Sequence, residues 1–129
     1  MFVRNLKLGE TLPDELKTGY ERGQCDPKWI WVCEHEGTPI GILITAPAHI
    51  AVILVVIKMA EGCAAQGVGV LLTEAFKEMS KRGYRGYMVW FGENQVESQL
   101  LRMVESTGGG VLETSMSLCY GWFDRKAAA

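Results

Sequence analysis

The sequence has no run of basic residues, no C-x-x-C pair and only two histidines, and each shortage closes off a class of function. Thirteen Lys and Arg stand interspersed among fifteen Asp and Glu, a formal charge of −2, so no stripe exists to neutralise a phosphate backbone. No nucleic-acid partner is expected. Cys25, Cys33, Cys63 and Cys119 lie far apart, and the N-terminus shows no secretory leader, which reads as reduced, mostly buried thiols of a cytoplasmic protein. With His35 and His49 as the imidazoles at hand, no metal site is expected. Low-complexity tracts, linkers and internal repeats are also lacking. Apolar residues make up 48% and charged residues 22%, the balance of a globular fold, and 129 residues is the length of one domain, 1–129.

A long apolar stretch, Pro39 to Ala60, matches a membrane span in length, but Thr45, Pro47 and His49 interrupt it and its flanks are rich in Ile and Val. Two buried strands joined by a turn at Ala46-Pro47-Ala48-His49 account for it better, so no membrane partner is expected.

The rest of the chain divides by periodicity. Phe2 to Lys7 reads as a strand, and Thr11-Leu12-Pro13-Asp14 as the start of a short helix to about Glu21. Trp29–His35 and Ile40–Thr45 form a hairpin through Glu36-Gly37-Thr38-Pro39. Ile50 to Met59 is apolar enough for a strand covered on both faces. Val68, Leu71, Leu72, Ala75, Phe76 and Met79 then recur at helical spacing, ended by Lys81, Arg82 and Gly83. Tyr84–Phe91 is a further strand. Asn94, with Glu97 three residues on, opens a second helix carrying Val96, Leu100, Met103 and Val104. Val111 to about Phe123 closes the chain as a strand or short hairpin, and the three terminal alanines read as frayed. An antiparallel meander followed by a βαβα unit predicts an α/β (α+β) fold: a mixed, mostly antiparallel central sheet with helices on both faces.

Between the buried strand and the strong helix stands Glu61-Gly62-Cys63-Ala64-Ala65-Gln66-Gly67-Val68-Gly69. Amides at a helix N-terminus have no intrahelical acceptor and suit a phosphate, while glycine lets the ligand approach. A tight turn with close helix–sheet packing would need the same glycines. Gly62 and Gly67 give half of a P-loop, but Val68 and Gly69 stand where Lys and Ser/Thr must hold phosphate and magnesium. Gly67-Val68-Gly69 begins a dinucleotide fingerprint, yet Leu72 takes the place of its last glycine.

Ala64-Ala65-Gln66-Gly67-Val68-Gly69 resembles the Arg/Gln-x-x-Gly-x-Gly/Ala motif of the GNAT superfamily of N-acetyltransferases, and the hairpin before it and the strand and helix after it come in that family's order. The resemblance implies an acetyl-CoA-dependent N-acetyltransferase, transferring acetyl directly to a primary amine. Acetyl-CoA would be the cosubstrate, with no metal. Its pyrophosphate would lie on the amides of Gln66 to Gly69, within a loop that also includes Ala64 and Ala65. Its pantetheine arm would pair with the main chain of Ile57, Lys58 and Met59, as an added strand does, and Asn94 would help to hold it. The partners implied are a small-molecule or peptide amine acceptor and, left open, a second copy in a homodimer.

Two departures stand out. Ala64 fills the Arg/Gln position, and Leu101-Arg102-Met103-Val104-Glu105 holds no tyrosine where family members often carry one to protonate the leaving thiolate. A non-catalytic GNAT-like CoA-binding or interaction domain is the alternative. For the proton transfers, Glu61 and Glu93 are the candidate bases and His49 a weaker one, with Tyr120 or Tyr87 as the acid. Cys63 is read as a packing residue rather than a nucleophile. Trp90 and Phe91 are read as core residues that could also wall the acceptor cleft.

Overall fold

In the computed structural model, residues 1–18, 26–90, 102, 110–113 and 117–123 are described. Strands β1 (Phe2–Asn5), β2 (Ile30–His35), β3 (Thr38–Ala48), β4 (Ala51–Met59), β5 (Gly86–Trp90), β6 (Gly110–Glu113) and β7 (Ser117–Trp122) form one sheet in the order β1-β2-β3-β4-β5-β7-β6. Every neighbouring pair is antiparallel except β4 and β5, which are parallel and joined by helix α1 (Ala64–Lys81). A parallel pair cannot be closed by a tight turn, so the crossover has to be a helix. The result is the mixed, mostly antiparallel sheet expected from the element order.

Two hairpins set the register of the first half. Glu36 and Gly37 both have positive φ, 52° and 81°, the conformation that a two-residue turn needs to match strand twist. The second hairpin corrects the expected turn at Ala46-Pro47-Ala48-His49. β3 runs on to Ala48, Pro47 lies opposite Val52, and the chain reverses at His49-Ile50, with His49 at φ 62°. Pro47 is tolerated inside a strand because β2 ends opposite Ile44; beyond that point β3 pairs with β4 alone.

Each face of the sheet buries its own cluster. On one face α1 lays Val68, Leu71, Leu72, Ala75 and Met79 over Trp31, Leu43, Val52, Leu54, Ile57, Tyr87 and Val89. On the other, Leu6, Leu12 and Leu16 cover Ile30, Val32, Ile42 and Ile44, with Val55 and Val56 at the margin. The expected helix to Glu21 is one 3-10 turn, Asp14–Leu16. Lys17 is already extended (φ −70°, ψ 130°), and its carbonyl accepts from Lys58 Nζ at 3.0 Å, where a longer helix would have bonded it internally. Glu21 lies outside the described residues.

At its other end α1 is tied down by Arg82, whose guanidinium lies 4.9 Å from the Trp29 ring centroid and 5.1 Å from that of Trp31. It donates to the Lys28 carbonyl at 2.6 Å, and Gly83 follows with φ 97° as the C-terminal glycine. The expected final segment is the β6–β7 hairpin. The expected second helix lies outside the described residues apart from Arg102, which is helical and exposed, and so do Phe91, Glu93 and Asn94.

Candidate functional site

β4 is buried on the α1 side at Val52 and Leu54 and then at Ile57 and Met59, a step of three where a regular strand steps by two. The register supplies the reason: Ile44 faces Val56 and Thr45 faces Leu54, which leaves Val55 as a bulge without a partner on β3. At the same level the other edge opens. Among the described residues, pairing of β4 with β5 runs from Ala51↔Gly86 to Leu54↔Val89 and stops. From Val55 to Met59 no described strand pairs with the main chain of β4 on the β5 side.

That edge leads into the N-terminus of α1. Ala60 N–H donates to the Ile40 carbonyl (2.7 Å), the chain turns at Glu61-Gly62 with Gly62 at φ 77°, and Cys63 N–H donates back to Ala60 (3.0 Å). Gln66 and Gly67 N–H both donate to the Cys63 carbonyl, at 3.3 and 2.9 Å. Ala64 and Ala65 begin the helix and have no residue four places back in it, so their N–H groups point out of its end. No acidic residue occupies the first turn to neutralise the positive end of the helix dipole.

The segment expected between strand and helix, Glu61 to Gly69, is shorter than that: the helix begins at Ala64, so Gly67 and Gly69 lie within it, and the turn is Glu61-Gly62. The two glycines then part company. Gly67 is buried, and a Cβ there would overlap the Met59 thioether and sit 3.6 Å from Ile40 Cδ1, so its glycine is explained by close helix–strand packing. Gly69 is exposed, and a Cβ there would meet nothing within 4 Å. It lies four residues after Ala65, on the same face of the helix, next to the outward-pointing amides.

Among the described residues, the candidate proton-transfer groups Glu61, His49, Tyr87 and Tyr120 lie apart. Glu61 is exposed beyond the end of β4. Tyr120 on β7 faces Met88, which faces Ile53, so Tyr120 is level with the middle of β4. At about 3.3 Å per residue, Met59 lies roughly 20 Å further along the strand than Ile53. Tyr120 is half-buried and borders a cavity of about 140 Å³ with Ile50, Arg85, Met88 and Trp122. His49 sits in the β3–β4 turn, at the far end of β4 from Glu61. Tyr87 is buried under α1, its ring stacked 4.6 Å from that of Phe76 and 6.0 Å from that of Phe123. Cys63 is half-buried and packs against the α1-side core, as a small packing residue does; burial pushes the Cys33 thiol up.

The sequence reading missed two features. The Val55 bulge was signalled by the uneven apolar spacing from Leu54 to Ile57. The half-buried side chain of Lys58, on the face away from α1, was signalled by its being the one charged residue of β4. Among the described residues no cluster of His, Cys, Asp and Glu could hold a metal ion, and no helix is long and apolar enough to cross a membrane.

A mostly antiparallel sheet with a bulged β4 that is joined through α1 to its parallel neighbour β5 is the fold of the GNAT acetyltransferases. The chain is similar to Ard1 from Thermoplasma volcanium (TM-score 0.66, 12% identity, 94% of this chain and 95% of that one). It is also similar to a GNAT family acetyltransferase from Elizabethkingia anophelis with acetyl-CoA bound (TM-score 0.64, 13% identity, 94% and 97%). A third similar structure is the PaiA N-acetyltransferase from Thermoplasma acidophilum in complex with coenzyme A (TM-score 0.60, 18% identity); it is matched over 72% of this chain, which spans 59% of that one. No family model matches the sequence, and no curated protein does.

Proposed function

We propose that this chain is an acetyl-CoA-dependent N-acetyltransferase that transfers acetyl directly to a primary amine of a small molecule or peptide. The observation that carries the reading is Gly69. A glycine inside a helix costs about 1 kcal/mol relative to alanine, and no packing contact at Gly69 requires it. Empty space beside a helix N-terminus is what a bound pyrophosphate needs. The solved structures of the same fold that hold CoA or acetyl-CoA support the choice of ligand.

In this reading the pyrophosphate lies on the outward amides of Ala64 and Ala65, beside Gln66 and Gly69. Gly67 and Val68 serve by shaping the helix. The pantetheine arm adds to the open edge of β4 along Ile57, Lys58 and Met59. The thioester then reaches the bulge at Val55, where an amide outside the regular ladder can donate to the developing oxyanion. The neutral amine attacks the thioester carbonyl carbon, the C–S bond breaks, and the products are an amide and the CoA thiol. One proton leaves the amine and one reaches the departing sulfur. A base must lie within hydrogen-bond reach or one water away, a condition met more readily at the level of Tyr120 than at Glu61, which in this reading sits by the phosphates. Glu93 follows β5 in sequence, and it and Asn94 remain candidates for base and cofactor contact. A cytoplasmic setting belongs to the same reading, on the wide spacing of the four cysteines in the sequence.

A second reading, CoA binding without turnover, is favoured by Ala64, which supplies no side-chain contact to the phosphates. Thermal-shift titration with acetyl-CoA tests both. The melting temperature should rise with ligand, by the equivalent of about 2.7 kcal/mol at a hundredfold excess over Kd; no rise at millimolar ligand overturns both readings. Thiol release across a panel of amines then separates enzyme from binder.

A further inference from the structure

We infer that Lys58 makes this site select acceptors that carry an anionic group in addition to the reacting amine. The inference rests on the acetyl-transfer reading above. An acceptor must reach the open edge of β4 from one face of the sheet, and the α1 face is closed: Val68, Leu71, Leu72, Ala75 and Met79 are at most 1% exposed there. Among the described residues nothing covers the opposite face beyond the cluster of Leu12 and Leu16, and the β4 side chains turned toward it are Ile53, Val55, Val56 and Lys58.

Lys58 is thus the one charged group that β4 offers to the acceptor. It is half-buried, and one of its three donors is used on the Lys17 carbonyl at 3.0 Å. Among the described residues it has no carboxylate partner; Asp14, on the same segment, is taken by Lys17 at 2.9 Å. A half-buried ammonium held in place by a carbonyl, with donors left over, is a ready partner for a carboxylate or phosphate. The hydrogen bond to Lys17 fixes where that partner must sit, between β4 and the segment after Leu16.

The experiment compares matched acceptors, an amino acid against the same amine lacking its carboxylate, in acetyl transfer by the wild-type chain, Lys58→Met and Lys58→Arg. The wild type should prefer the carboxylate member by about tenfold or more in kcat/KM, the order of a hydrogen bond to a charged group. Lys58→Met should erase that preference mainly through KM, and Lys58→Arg should keep most of it. Equal use of both acceptors by the wild type, or a preference that survives Lys58→Met, overturns the inference. So does a rise in the acetyl-CoA Kd of Lys58→Met with the acceptor preference intact, which would assign the charge to the cofactor. Absence of acetyl-CoA binding by the wild type overturns the underlying reading, and is told apart from these by the cofactor titration alone.

Discussion

The two edges of β4 differ in what the chain has done with them. Toward β3 the strand is paired from Gly41↔Met59 to Ala48↔Ala51, interrupted by one bulge, and the Met59 side chain occupies the space that Gly41 and Gly67 leave without a Cβ. Toward β5, pairing among the described residues stops at Leu54, and no described strand pairs with the rest of β4 on that side. Unpaired edges are an aggregation liability that folds cover or block. Here the open edge leads to an uncapped helix N-terminus and a glycine without a packing role. One edge carries stability; in the proposed function the other takes the cofactor.

Substitutions should separate the two. Met59→Ala empties the space shared with Gly41 and Gly67 on the closed side; denaturant unfolding should show a loss of about 3 kcal/mol. Gly67→Ala fills the same space from the other direction and pushes the flexible methyl end of Met59 aside; alanine's helix preference of about 1 kcal/mol offsets that cost, so the net change by the same measurement should be smaller than for Met59→Ala. If Met59→Ala were neutral, the packed edge would not be the stabilising one. Arg82→Ala removes a cation resting on Trp29 and Trp31 and a bond to the Lys28 carbonyl, far from the open edge. It should cost about 1 kcal/mol in unfolding and leave acetyl-CoA binding alone.

The smallest expected effect is one of pH. Glu10 receives Arg4 at 2.7 and 2.9 Å and the Lys7 amide at 3.0 Å, and the Arg4 bonds hold its carboxyl below its ordinary value of 4.5. A carboxyl depressed in the folded state stabilises above its unfolded pKa and loses that contribution as pH falls through the folded one. Stability should therefore decline on acidification below about pH 4.5, and the decline should be shallower in Arg4→Met. The open edge lies elsewhere, so acetyl-CoA binding should not follow this titration.

Much of the scaffold was legible because it depends on local pattern. The helical spacing from Val68 to Met79 and the Glu36-Gly37 turn need no tertiary partner to be recognised. What escaped depended on partners distant in sequence. Pro47 looked like a turn residue because the point where β2 ends, opposite Ile44, is a fact of sheet register. The helix expected after Pro13 shrank to one turn because Lys58, far along the chain, takes the Lys17 carbonyl. At the site, the motif located the helix N-terminus, but helix and turn share the same glycines. Packing against Met59 was needed to tell Gly67, a structural residue, from Gly69.

Gly69→Glu tests the central claim most directly, by thermal unfolding with and without acetyl-CoA. Glutamate is a better helix residue than glycine and meets no neighbour at this position, so the ligand-free melting temperature should hold or rise. Its side chain leans over the Ala65 amide, so the rise in melting temperature with acetyl-CoA should disappear. An undiminished shift with ligand would contradict the assignment of this helix N-terminus to the cofactor.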